Sequence, residues 1–202
     1  GVYMLKKPVD GFVYDDAGKV CGVKSGEETA KCKMVICDPS YADPAKIQIT
    51  SLIVRAICIL GAPIPDTRTK EGQPARSCQI ILPQNALGRK NDIYIMMVSW
   101  AHRIAAKDKY VAIVSTVVET GEPEKEIQPA LKLLGPILEK FVQVSEYKVP
   151  LEDGTKDQVF VTTSYDPTSH FEDASAEVLR MWRTIMGSDL DLTLTPEDLA
   201  ED

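Results

Sequence analysis

Few residues in this chain have both the type and the spacing that chemistry requires. Ser115 lies in an apolar run with no GxSxG elbow around it and no adjacent base, so it is not placed to act as a nucleophile. Only two histidines occur, His102 and His170. His102 follows a strand-like run ending at Trp100 and is read as a hydrogen-bonded structural residue rather than a general base. His170 stands next to Phe171 and suits a cap or a surface position. The five cysteines are Cys21, Cys32, Cys37, Cys58 and Cys78. Their odd number and the absence of a CxxC pair speak against a disulfide framework and against zinc. Most lie in apolar runs, where a free Cys acts as a small hydrophobe in a reducing compartment. Neither phosphate-cradling glycine motif, GxxxxGK[ST] or GxGxxG, is present. Gly18, Gly22 and Gly26 are spaced by four, but as turn positions of a meander their φ angles account for them. The expectation is therefore no catalytic residue, no metal and no cofactor. The paired Met96-Met97 could serve an adaptable surface, with core filling the preferred reading.

Composition is that of an ordinary soluble globular protein. The chain has 202 residues, is 44% hydrophobic and 26% charged, and can bury a real core. Its net charge of −7 and pI near 5.0 exclude a general phosphate-binding surface, so nucleic acid is not an expected partner. No apolar run approaches the roughly 20 residues of a membrane span. No signal peptide is visible, and a start at Gly1 without Met suggests a fragment.

These residues need elements to hold them. Val2 to Leu5 is short and apolar. Phe12 to Tyr14 and Val20 to Val23 flank Asp15-Asp16-Ala17-Gly18-Lys19, a hairpin signal. Ser25 to Glu28 marks another turn, and Lys33 to Cys37 reads as a buried strand. It has the look of a parallel strand opening on a crevice near Asp38. Runs at 53–60, 78–82, 93–100 and 110–119 predict an antiparallel sheet. Residues 66–76 are polar with Gly and Pro and read as a flexible loop. Pro123 opens a helix in which Ile127, Ala130, Leu131, Leu134, Ile137, Leu138 and Phe141 recur at helical spacing. Gly135-Pro136 predicts a kink or a break within it. Residues 158–165 alternate like a strand. Residues 171–186 form a second amphipathic helix, with Gly187 as its cap. The acidic segment 188–202 is expected to be poorly ordered. The fold class is α/β of an α+β kind, with mixed and antiparallel sheets and few helices.

Several segments resemble the Rab GDP-dissociation inhibitor family. They include YMLKKPVD (3–10), GKVCGVKS (18–25), KCKMVICDPSY (31–41) and VRAICIL (54–60). SCQIILPQ (77–84), GRKNDIYIMMVSWAH (88–102) and YVAIVSTVVET (110–120) continue the series, which PEKEIQPALKLL (123–134) and QVFVTTSYDPTSHFE (158–172) complete. The resemblance covers nearly the whole chain in order.

The resemblance implies a non-catalytic cytoplasmic protein that binds GDP-bound prenylated Rab GTPases, slows GDP release and retrieves them from membranes. It implies no direct membrane association beyond that through the Rab. It places residues 1–202 in the later part of a large domain with an FAD/NAD(P)-binding-like fold. The family's Gly-rich dinucleotide motif and its helical prenyl-binding domain would precede this segment. The family's Rab-binding platform carries a Thr two residues before a Met, and here those positions are Val2 and Met4. Met4 matches, whereas Val2 lacks the hydroxyl. Tyr3 between them is expected, by strand alternation, to face the other way. The alternatives are a Rab escort protein acting with the prenyltransferase and a flavin oxidoreductase of the same architecture.

Overall fold

The computed structural model describes Gly1, residues 3–168 and residues 171–193. It divides into two compact units. One comprises residues 49–149 and 164–169, the other residues 1–48, 150–163 and 170–202.

The first of these is built on a five-stranded sheet. Its strands are β5 (Ile47–Leu60), β6 (Ser77–Leu82), β7 (Ile93–Ser99), β8 (Tyr110–Val117) and β9 (Ile137–Pro150), in the order β6-β7-β8-β5-β9. Pairing of β5 with β8 is antiparallel and unbroken from Ile53↔Val117 to Leu60↔Tyr110. Strict alternation sets this register. In β7, Ile93, Ile95, Met97 and Ser99 are buried while the residues between them are partly exposed. Val54, Ala56, Cys58 and Leu60 join them on one face with Ala112 and Val114. Two short helices, α2 (Pro123–Glu126) and α3 (Gln128–Leu133), belong to the same core through Ile127, Ala130, Leu131 and Leu134. Met97 is core, as its sequence position suggested, and its sulfur accepts the Ile64 N–H at 3.3 Å.

On the opposite face, residues 164–168 are tied to the strands. Arg55 donates to the Asp166 carbonyl at 2.8 Å, and the buried Ser115 hydroxyl donates to the Pro167 carbonyl. Ser115 is thus a fastening, not a nucleophile. Residues 66–76 are organised by an Arg68↔Pro74 bridge and a 2.8 Å hydrogen bond from Thr69 N–H to Gln73 O.

The predicted antiparallel sheet is present, but its fifth strand replaces part of the predicted helix. Gly135 takes a φ of +73°, and Pro136 cannot donate to a helical turn. The helix stops there, so Ile137, Leu138 and Phe141 lie on β9. Their helical spacing with Ile127 and Leu134 was coincidental.

A buried ion network joins the ends of these elements. Helix α1 (Gln84–Leu87) closes with Gly88 at φ +63° and delivers Arg89. Arg89 meets Glu126 at 2.8 Å and Glu119 at 3.4 Å, and donates to the Val117 carbonyl at 3.0 Å. Glu126 accepts from the Glu119 and Thr120 amides and from the Thr120 hydroxyl. Burial alone would raise the Glu126 carboxyl. The Thr120 hydroxyl, Arg89 and the two amides outweigh burial and hold it below its ordinary value. Glu119 follows the same pattern, with Asn91, Lys90 and Arg89 as its partners.

The other unit contains a meander, β1 (Gly11–Tyr14), β2 (Val20–Ser25) and β3 (Glu28–Lys31). Asp15 accepts from the Ala17 and Lys19 amides to fold the first turn. Gly18 and Gly26 have the positive φ expected of turns. Gly22 does not. It is a strand residue, and a Cβ there would stand 2.6 Å from the Thr29 methyl, so close strand packing explains it.

Strand β4 (Val35–Cys37) pairs in parallel with β10 (Val159–Val161), as the parallel reading anticipated. Its predicted burial does not hold: Ile36 is 59% exposed and Met34 42%. Among the described residues β4 has one strand neighbour, β10. By contrast, all of β10 is buried, with Val159 and Val161 packed against Val20 and Ala42. The alternating run predicted over 158–165 shortens to these three residues. Asp157, next to β10, pairs with Lys46, receives the Val159 amide and accepts the Val20 amide on its carbonyl. Helix α4 (Phe171–Met186) matches its predicted span, and Gly187 caps it at φ +72°. Of its apolar face only Met181 is buried, while Phe171, Val178 and Trp182 are exposed. Of the predicted acidic tail, residues 188–193 are described and 194–202 lie outside the described residues.

Leu134→Ala would leave a cavity beneath the sheet. We expect a loss of about 2–5 kcal/mol, read as a lower urea midpoint at unchanged slope. Acid should weaken the ion network. A carboxyl whose folded pKa lies below its unfolded one stabilises above the unfolded value, near ~4.3, and loses that contribution as pH falls through the folded value. Urea midpoints should therefore drop on acidification below about pH 5. Glu126→Gln should be less stable than the parent at neutral pH, with the gap narrowing in acid.

Candidate partner-binding segment

Residues 3–10 precede the meander, and their local structure follows from backbone chemistry. Pro8 limits the conformations of Lys7 before it. Leu5 and Lys6 form a turn in which Lys6 adopts φ +57°, a left-handed conformation that costs a non-glycine residue about 1–2 kcal/mol. Tyr3 and Met4 have no regular structure. The strand alternation expected to turn Tyr3 away from Met4 therefore has no basis. Tyr3 is 91% exposed, Met4 63% and Leu5 91%, a run of three bare apolar side chains. Val2, the other predicted contact, lies outside the described residues.

Behind the turn, the segment is fastened to the β2–β3 hairpin at three points. The Asp10 amide donates to the Lys24 carbonyl at 2.9 Å. The Asp10 carboxylate accepts the Gly26 amide, and Lys7 pairs with Glu28. The hydrogen bond from Lys7 holds the Glu28 carboxyl below its usual range, although an exposed pair of this kind contributes little to stability. Sequence reading did not find these tethers. The available signal was Asp10, a residue suited to accepting a turn amide.

Other candidates do not converge into a site. His102 is exposed, in a 3-10 turn that ends with Arg103 at φ +58°. His170 lies outside the described residues. Among the described residues, no group of three His, Cys, Asp or Glu could hold a metal ion. No helix among them is long and apolar enough to cross a membrane.

A family model described as GDP dissociation inhibitor matches residues 1–197. The chain belongs to the GDP dissociation inhibitor family. Within this family it is 49% identical over 191 residues to Rab GDP dissociation inhibitor beta of Rattus norvegicus, and 48% identical to that of Canis lupus familiaris. Each alignment covers 95% of this chain but 41% of the relative, so the chain spans about two-fifths of their length. A crystal structure of a Rab GDI from Plasmodium falciparum superposes with a TM-score of 0.86 at 49% identity, covering 94% of this chain and 42% of that one. A thermophilic tryptophan halogenase from Streptomycin violaceusniger superposes at 0.53 with 10% identity, over 89% of this chain and 34% of that one. At that identity the likeness is one of fold, and it agrees with the mixed α/β class inferred for the family member described here.

Removing the Asp10 carboxylate should free the Gly26 amide. Asp10→Ala is expected to speed hydrogen exchange at Gly26 about fivefold, the factor corresponding to a net hydrogen bond of about 1 kcal/mol. Exchange in the β5–β8 ladder should stay unchanged.

Proposed function

We propose that this chain is the C-terminal portion of the large, flavoprotein-like domain of a Rab GDP dissociation inhibitor. In this reading, Met4 and Val2 belong to the surface that grips GDP-bound, prenylated Rab GTPases. The protein is regulatory rather than an enzyme: it slows GDP release and keeps the GTPase available for retrieval from membranes. It works in the cytoplasm, touches membranes only through the Rab, and uses neither cofactor nor nucleic acid. The parts of the family that carry the dinucleotide motif and shelter the prenyl chain lie outside these 202 residues, so this stretch supplies part of the grip and no lipid pocket.

The observation that carries the proposal is the identity of 49%, sustained over 95% of the chain, with a protein named as a Rab GDP dissociation inhibitor. The exposure of Met4 on a tethered segment supports the placement of the contact. An exposed thioether next to Tyr3 and Leu5 offers a deformable apolar contact, suited to a protein surface that is itself apolar. Val2 keeps the shape of the family's Thr and loses its hydroxyl, which removes one hydrogen bond to the partner.

The test uses the full-length protein and a GDP-loaded, prenylated Rab in a binding titration. Met4→Asp should weaken binding tenfold or more, on the order of 1.4 kcal/mol or above. Asp16→Ala, on the exposed turn of the meander, should leave it unchanged. Val2→Thr should tighten binding several-fold by restoring a hydrogen bond. Unaltered affinity in Met4→Asp would remove Met4 from the platform.

A further inference from the structure

Most of the cysteines were expected to act as small hydrophobes, and all five are free thiols. Two of them stand opposite one another. The β2–β3 ladder runs from Ser25↔Glu28 to Gly22↔Lys31, and continuing its register by one residue sets Cys21 opposite Cys32. One backbone bond joins them there: the Cys32 amide donates to the Cys21 carbonyl at 3.1 Å. Residues directly opposed on antiparallel strands have Cα atoms about 4.5–5.5 Å apart, and their side chains share a face of the sheet. Protein disulfides span Cα separations of about 4.4–6.8 Å, most often about 5.5–6 Å. Neither thiol is sealed in the core, since both are partly exposed, whereas Cys58 is fully buried.

A second feature sets Cys21 apart. The β1–β2 register slips between Val13↔Gly22 and Tyr14↔Val20, leaving Cys21 as the extra residue of a bulge toward β1. Bulges release a residue from one neighbour and re-aim its side chain. Cys21 thus lacks a partner in β1 and keeps the one in β3. The Cys32 thiol is pushed up by burial and by the adjacent Cys21, as two neighbouring sulfurs require.

We propose that Cys21 and Cys32 form a dithiol site that closes to a disulfide on exchange with a low-molecular-weight disulfide of the glutathione class. One thiolate attacks a sulfur of the small disulfide, breaking its S–S bond and expelling one small thiolate. The second protein thiolate then attacks the protein-bound sulfur of the mixed disulfide, forming the Cys21–Cys32 bond and expelling the remaining small thiolate. The two protein sulfurs are oxidised, and one small disulfide is reduced to two thiols. The closed loop contains Lys24, Gly26 and Glu28, the three attachment points of the segment 7–10. Oxidation would staple the hairpin that carries the partner-binding segment, independently of what that segment binds.

The test equilibrates the chain in glutathione buffers of graded ratio, quenches with acid, alkylates the remaining thiols and maps peptides by mass spectrometry. The native chain should yield one intramolecular Cys21–Cys32 link, with Cys37, Cys58 and Cys78 still alkylated. The same treatment in urea should scatter links over all five cysteines. Cys21→Ser and Cys32→Ser should each halt at a glutathione adduct on the remaining partner. In the oxidised native chain, amide exchange from Lys24 to Glu28 should slow. A native chain that keeps both thiols at the most oxidising ratio, links Cys32 to Cys37, or links only between molecules would overturn the proposal.

Discussion

The register between β5 and β8 is the constraint on which this structure rests. Side chains on a strand alternate with a period of two, so a slip of one residue would turn Val54, Ala56, Cys58 and Leu60 away from the core together. The alternate positions would not substitute cleanly, because among Ile53, Ile57, Ile59 and Ile113 they carry Arg55 and the hydroxyl of Ser115. Those two residues instead hold down residues 164–168 through the carbonyls of Asp166 and Pro167. The same alternation therefore fixes the core and the fastening of the opposite face. At the edge of this arrangement, the Arg89, Glu119 and Glu126 network ties the end of β8 to α1 and α2. Its charges are fully partnered, which makes a buried carboxylate tolerable there.

The meander unit follows a different logic. It has a small core around Val20, Val159 and Val161, and much of its order comes from turns with named acceptors. Asp15 organises the first hairpin, and Asp10 fastens the preceding segment to the second. The result is a short run of exposed apolar residues tethered to the hairpin. Binding by such a run costs less ordering entropy than binding by a free tail.

Much of the fold was legible because its signals were local and redundant. The Asp15 to Lys19 turn, the long β-branched runs and Gly187 at the end of α4 each stated a structure in a few residues. What failed did so for identifiable reasons. Ile137, Leu138 and Phe141 fit both a helix and a strand, and the pattern upstream favoured the helix. Gly135-Pro136 decided the matter by backbone chemistry that periodicity does not register. The burial expected for β4 depended on neighbouring strands, which no local pattern encodes. The proposal for Met4 rests on resemblance alone, since an exposed Met in an irregular segment carries no signal of its own. The tethers from Asp10 and Lys7 are contacts across 16 and 21 residues, beyond the reach of local reading.

The central claim is that this sequence forms one part of a grip that slows nucleotide release. The most direct measurement is the rate of GDP release from a prenylated Rab, taken with this chain alone and with the chain extended upstream to the family's full length. The account predicts that the extended protein slows release strongly and that the 202-residue chain alone has little effect. An extended protein that leaves the release rate unchanged would contradict it.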